Sequence, residues 1–487
     1  MFDEELKAKV VVTLFQLCTR PLIEQSLNGS WSNSIEQSTY ATLILVETRR
    51  VPIFSEIRSR IEIAIKSAVL FMSDHEGGAT AEERLRTEQL SYNPTHIVQA
   101  YKLAALKAST TSIGSNSISD IRTAAYPFLK LIQKTPLFSG VAEWKLSCSY
   151  IEATYFLPLL RARRSLIFSR TNVTEDKYFD IIPFTWTACN NSRGTYASNT
   201  LLFEMMIISF LNYQIDEYME AVAGPIIMKE LSSEINHFID YLFTGSSSLE
   251  NIPSYLAPLA NFTSYIRKGV TNSSVLDQRN LNRELKSFLR AHIVQAEDNA
   301  QLTARIGDTG FSKADTTFFS WVRSTSADHT SCPYSFAFLS CLISRSIGQG
   351  AECFSTTAQR YYASDTCRHL ATMCRMYNDY GSIQRDAEEK NLNSVDFEDF
   401  ASSADKKQTL FELAEYERVC LQNALGRLEQ EAERTVSEEL GKEQRERRKM
   451  AILRMFCDVT DLYGQLYVVK DMASRIKPST NGEHHAS

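Results

Sequence analysis

Basic charge is the first thing this sequence has little of. Its 487 residues carry 52 Lys and Arg against 58 Asp and Glu, a formal charge of -6. That balance excludes a nucleic-acid footprint. The densest basic run, Gly441 to Met450 (G-K-E-Q-R-E-R-R-K-M), is interleaved with Glu and reads as a solvated helix face rather than a phosphate or membrane patch. Long apolar runs are missing too. Met205 to Leu211 is among the longest and is broken by polar residues well short of the roughly 20 needed to span a bilayer, so no transmembrane segment is expected. The opening M-F-D-E-E-L-K-A-K is charged rather than signal-like. Ten cysteines occur singly with no C-x-x-C pair, which argues against a zinc or redox motif and for reduced thiols in a cytoplasmic protein. No sustained strand alternation and no fixed-period repeat is found.

What is present is helix after helix, so the expected class is all-α. Apolar residues recur at helical spacing from Asp3 to Ile23, and Ser34 is placed to cap a second helix over Ile35 to Thr48. Further helices are expected near Phe54 to Met72, Pro94 to Ala108, Ile118 to Gln133, Trp144 to Arg164, Ile226 to Phe243, Asp277 to Gln301, Cys353 to Lys390, Lys407 to Ser437 and Glu438 to Ile476. A length of 487 residues accommodates two or more domains, and a boundary is placed near residue 140, after K-T-P-L-F-S-G. Residues 477–487 read as a disordered tail.

Two stretches carry chemistry. In L-L-F-E-M-M-I-I-S-F-L-N-Y-Q-I-D-E-Y-M-E, Asp216, Glu217 and Glu220 sit at the end of a helix too apolar to be a solvated surface. Asp216 and Glu220, four apart, share a face. Carboxylates in apolar surroundings take up protons, bind cations or pair with a distant Arg, and a pair with no neighbouring Lys or Arg suggests a hard divalent metal. The second stretch, R-M-Y-N-D-Y-G-S-I-Q-R-D, spaces Asn378, Ser382 and Asp386 as i, i+4 and i+8, three oxygen donors on one stripe. Such a row suits magnesium, and Arg375 and Arg385 flank it where they could hold phosphate oxygens. Read alone, the stripe is equally a polar face turned to water.

The pair resembles the two metal motifs of class I terpene synthases. D-E-Y-M-E is similar to the aspartate-rich D-D-x-x-D/E motif, and N-D-Y-G-S-I-Q-R-D to the N/D-D-x-x-S/T-x-x-x-E motif, with Asp386 in place of the usual Glu. F-T-W-T-A-C-N-N (Phe184 to Asn191) and S-A-D-H-T-S-C-P-Y-S-F-A-F resemble the C-terminal half of fungal bifunctional diterpene cyclases of the copalyl diphosphate synthase/kaurene synthase type, over about residues 140 to 476. The resemblance implies a class I α-helical bundle over 141–476, preceded over 1–140 by a partial, helical β-domain remnant of a class II unit. It further implies a lyase of isoprenoid secondary metabolism that ionises a prenyl diphosphate with three Mg2+ ions. Asp216, Glu217 and Glu220 on one helix and Asn378, Ser382 and Asp386 on the other would be the metal ligands, with Arg375 and Arg385 on the diphosphate. Phe184, Trp186, Phe210 and Tyr213 are the candidates for an apolar pocket lining, and Asn391 to Asp405 for a lid.

The first third departs from the family. W-S-N-S-I-E-Q-S-T-Y-A-T-L-I-L (Trp31 to Leu45) is similar to a class II helix, yet no D-x-D-D occurs anywhere, so alkene protonation is not expected of this polypeptide. The implied substrate is therefore a copalyl diphosphate and the product a kaurene-like polycyclic diterpene or alcohol. A homo-oligomer or a partner class II cyclase is compatible with this reading, and no nucleic-acid partner is. The rival reading is a non-catalytic truncated remnant or helical partner module. A chain-elongating prenyl synthase ranks last, because it would want two aspartate-rich motifs.

Overall fold

Thr356 is followed three residues later by Gln359, and the two close a capping box: Gln359 N donates to Thr356 Oγ1 at 3.0 Å while the glutamine side chain reaches back to the Thr356 amide. A cap of this kind contributes about 1 kcal/mol. It starts the longest helix of the chain, Thr357–Glu389, which runs about 50 Å at 1.5 Å per residue. Lys390, at φ +60°, turns the backbone left-handed to end it.

The computed structural model describes residues 4–74, 95–111, 127–165, 178–227, 232–244, 253–304, 311, 316–435 and 441–469. Among them the fold is all-α, as expected. Isolated bridges join Trp31 to Ser34 and Phe311 to Phe397, and no named strand occurs among the described residues. In order the helices are α1 (Glu4–Glu24), α2 (Ile35–Thr48), α3 (Arg58–Asp74), α4 (Thr95–Ser109), α5 (Pro127–Gln133), α6 (Glu143–Ser165), α7 (Tyr178–Ser192), α8 (Asn199–Ile227), α9 (Ser232–Phe243), α10 (Ala257–Lys268) and α11 (Val275–Ala304). They continue as α12 (Phe318–Val322), α13 (Thr325–His329), α14 (Cys332–Ser346), α15 (Thr357–Glu389), α16 (Lys406–Arg434) and α17 (Lys442–Val469). Ser34 caps α2 as expected, accepting from Gln37 N at 3.3 Å. The expected tail 477–487 lies outside the described residues, as do 118–126 of one expected helix.

Packing divides the chain into two units, each assembled from separate stretches of the sequence. Unit 1 comprises 1–130, 141–161 and 175–203; unit 2 comprises 131–140, 162–174 and 204–487. The physical reason for the first assignment is visible in a buried polar knot. Glu152 of α6 accepts from Gln16 of α1 at 2.7 Å and from Asn191 of α7 at 2.7 Å. Around it Phe15, Trp31, Leu45, Phe54, Ile61, Ile65 and Phe71 form an apolar core with Cys148 and Ile151 of α6. In unit 2, α15 packs against both α16 and α17, and α11 against α13 and α14.

Two glycines set how closely α15 approaches α17. A Cβ built on Gly381 would meet the Tyr467 carbonyl oxygen at 2.6 Å, and one on Gly464 would meet the Tyr377 ring at 2.8 Å. Both distances are shorter than real Cβ contacts, so only hydrogen fits at either position.

Candidate active site

The acidic end of α8 is positioned by its apolar stretch. Ile207, Ile208, Phe210, Leu211, Ile215 and Met219 are all buried, on more than one side of the helix, so its angular setting is fixed by packing. One turn before Asp216, Asn212 accepts from the Tyr334 hydroxyl and donates to Ser335 Oγ at 3.2 Å, tying α8 to α14. Asp216 keeps 42% of its side-chain surface accessible. Burial among neighbouring groups nevertheless raises its pKa to about 8, with the Glu220 charge adding to the rise and Arg375 and Arg385 opposing it. Glu220 is pushed up by burial first and then by Glu389, against Arg385, with Asp386 adding to the rise. Glu217, one residue round the helix from Asp216, is exposed.

The same electrostatics bring the two sequence stretches together, since α8 carboxylates feel Arg375, Arg385 and Asp386 of α15. A direct link exists as well: the Tyr467 side chain of α17 is hydrogen-bonded to both Asn378 and Tyr213. Within the α15 stripe, Ser382 Oγ donates to Asp386 Oδ2 at 2.5 Å, and Asn393 Nδ2 donates to the same oxygen at 2.7 Å. Arg385 stands 3.6 Å from Asp386 Oδ1. Arg375 is buried; its Nε lies 2.7 Å from Asp379 Oδ1, it donates to the Leu392 carbonyl at 3.1 Å, and its guanidinium lies 5.3 Å from the centre of the Trp321 ring. Asp379, the second letter of N-D-Y-G-S, is fully buried and points away from solvent toward the loop, where it accepts from Ser394 N and Oγ at 2.9 and 2.6 Å.

The 391–405 segment differs from the expected free lid. Asn393 and Asp396 cap each other across a short 3-10 turn, Leu392 N donates to Asn299 Oδ1 at 2.8 Å, and Phe311 N to the Asp396 carbonyl at 2.6 Å. Phe397 and Phe400 pack on Phe318, and Phe397 on Trp321. A polar composition that reads as a solvated loop supplies buried caps here, so the segment packs against its neighbours. Of the proposed lining residues, Phe210 is buried and Tyr213 partly buried in unit 2. Phe184 and Trp186 are buried in unit 1, where Phe184 meets Tyr150 edge-on at 5.5 Å.

Sequence reasoning missed two histidines. His292 of α11 places Nδ1 3.6 Å from Asp216 Oδ1, and its ring centre lies 4.2 Å from that of His329. Both ring nitrogens of His292 are buried without a hydrogen-bond partner. Burial alone lowers its pKa to about 3, so the ring is neutral; His329 is lowered for the same reason, with His292 and Arg375 adding to it. No local spacing signals this pair, because α11 and α13 meet Asp216 from far along the chain.

A carboxylate pair on α8 under the electrostatic influence of an Asn-Ser-Asp helix in the same all-helical unit resembles the arrangement of class I terpene synthases. The comparisons agree. The chain is 37% identical to the bifunctional ent-kaurene synthase of Gibberella fujikuroi, over 98% of this chain and 53% of that protein. It is 36% identical to the pimaradiene synthase of Emericella nidulans (96% and 51%) and 35% to the phyllocladan-16-alpha-ol synthase of Phomopsis amygdali (96% and 52%). The chain is thus similar over nearly its whole length to fungal diterpene synthases, and it spans about half the length of the curated relatives it matches. No family model matches it.

Proposed function

We propose that this chain is a class I diterpene cyclase that ionises a copalyl diphosphate with magnesium and closes the resulting cation to a kaurene-like hydrocarbon or alcohol. The observation that supports it best is the mutual influence of Asp216, Glu220 and Asp386. Burial first, then Glu220 acting on Asp216 and Glu389 and Asp386 acting on Glu220, makes the two α8 carboxylates resist ionisation, and Arg385 opposes both shifts. Such a set fits a hard divalent cation. Asp216 and Glu220 would hold magnesium from α8, with Glu217 beside them, and Asn378, Ser382 and Asp386 from α15. Bound there, the metal would supply positive charge to the departing diphosphate.

The remaining work falls to the chain's own groups. Arg385, partly buried beside Asp386, is placed to bind a phosphate oxygen; Arg375, held by Asp379 and the Leu392 carbonyl, positions the loop behind the stripe. Ser382 and Asn393 fix one oxygen of Asp386 and leave its other oxygen toward Arg385. Phe210 and Tyr213 lead along α8 toward Asp216 and would turn apolar and aromatic surface to a bound hydrocarbon, excluding water from the cation and stabilising it through ring faces. With no D-x-D-D in the sequence, the substrate arrives already cyclised by a class II reaction, and residues 1–140 serve as a helical class II remnant.

The test is incubation of the purified chain with magnesium and, separately, geranylgeranyl diphosphate and the copalyl diphosphate stereoisomers, with gas chromatography and mass detection of the hexane extract. A cyclised product from one copalyl diphosphate and none from geranylgeranyl diphosphate is expected. A folded chain that converts none of them refutes the assignment.

A further inference from the structure

We propose that Asp216, His292 and His329 form a second cation site, one that takes a transition-metal dication such as zinc rather than magnesium. Its donor set differs from the oxygen cluster beside it. One ligand atom from each of the three residues lies within 4.8 Å of the others, and His292 Nδ1 and Asp216 Oδ1 are 3.6 Å apart. Donors around a tetrahedral ion with bonds near 2.1 Å stand about 3.4 Å from one another. The Asp216–His292 pair is already near that spacing, and the other pairs lie no more than about 1.4 Å beyond it, within reach of side-chain rotation.

The independent sign of a missing ligand is His292 itself. It is only 3% exposed, and neither ring nitrogen has a partner. A buried polar group without a hydrogen bond is destabilising, and a bound ion would remove that cost. Phe288, packed edge-on at 4.7 Å, and His329 at 4.2 Å hold the ring in place. Neutral imidazoles are preferred by zinc, cobalt and copper over magnesium, which favours oxygen and keeps its waters. One more donor position would be left to water, since the three residues supply three ligands.

Asp216 is common to both sites. An ion held with the histidines engages the Asp216 oxygen facing His292 and adds positive charge beside the oxygen cluster, so zinc inhibits turnover in competition with magnesium; this consequence alone rests on the proposed activity. The binding test does not. Cobalt(II) is titrated into the chain without diphosphate, and its visible ligand-field bands are followed. One equivalent should bind with the intense absorption of a low-coordinate, nitrogen-containing site, and zinc should displace it. His292→Gln and His329→Gln should each weaken binding at least tenfold, as loss of even an outer-shell partner costs roughly 10–100-fold. Thermal unfolding of each variant monitors the fold, and the more exposed His329 supplies the test should His292→Gln not fold. The proposal is overturned by a folded wild-type chain that gives no such bands. It is equally overturned if both histidine variants bind as wild type does, or if the bands vanish in Glu220→Gln and persist in His292→Gln. Intact cobalt binding beside a chain that converts no prenyl diphosphate would sink the cyclase assignment and leave this site standing.

Discussion

Replacing Asp216 by Asn should stabilise the metal-free protein while abolishing its turnover, and the stabilisation should grow with pH. In the folded chain the Asp216 carboxyl titrates at about 8, against about 3.9 for an unperturbed aspartate. Between those values the folded state holds a proton that the unfolded state has released, so stability falls as pH rises through the window and levels off above it. Asparagine resembles the protonated form and carries no such dependence. Taken at face value, four pH units amount to roughly 5 kcal/mol. Because 42% of the side chain is open to water, screening cuts this to about 1–2 kcal/mol. At about 2.1 cal/mol/K per residue, a unit of some 300 residues would gain about 2–3 °C in Tm. Scanning calorimetry in EDTA at about pH 5 and pH 8.5 reads it: a small gain at the lower pH, where only about a quarter of the window has been crossed, and the full gain at the higher. With magnesium and diphosphate the sign should reverse, because the wild-type carboxylate then has a partner. A destabilised Asp216→Asn at pH 8.5, or a gain equal at both pH values, would refute the picture of strained carboxylates facing each other across the site.

Three further outcomes are expected. Asn393→Ala removes donors to the Asp386 carboxylate and the Asp379 carbonyl, which should cost about 2–3 kcal/mol and speed amide exchange over residues 391–405; unchanged exchange there would contradict the docked loop. Gly381→Ala forces a methyl against the Tyr467 carbonyl and should lower the urea midpoint by about 1–3 kcal/mol of stability, with a neutral result showing that α15 and α17 can separate freely. Alkylation of the native protein at mildly alkaline pH, read by peptide mass spectrometry, should mark Cys18 and Cys420. It should spare Cys148, Cys341 and Cys374, whose thiols burial pushes up to about 12.

The carboxylate helix was legible because its signal is local: Asp216 and Glu220 stand four apart after a run of apolar residues that can only be buried. The Asn378, Ser382, Asp386 stripe was legible for the same reason, and helical periodicity gave most of the elements. What escaped was set by contacts distant in sequence. Gln16, Glu152 and Asn191 draw α6 and α7 into unit 1 over separations of 136 and 39 residues, and nothing near residue 140 announces it. His292 and His329 are unremarkable in A-H-I-V-Q and A-D-H-T until the fold sets them against Asp216. The packing of the loop after α15 is not legible because Asn, Ser and Asp look alike whether they cap buried turns or face water.

Gly381 is one of the letters that the pattern N-D-x-x-S leaves blank, and the helix contact at that point shows what the blank conceals. The spacing of Asn378 and Ser382 is dictated by chemistry, but the residue between them is dictated by a backbone carbonyl on α17, the same residue whose phenol binds Asn378. Tyr467 therefore acts as a caliper on the stripe, gripping it by main chain at one point and by side chain at another. A sequence chosen to preserve the motif's named positions alone, with free choice at the rest, would keep every donor oxygen and lose the rod that holds them in line.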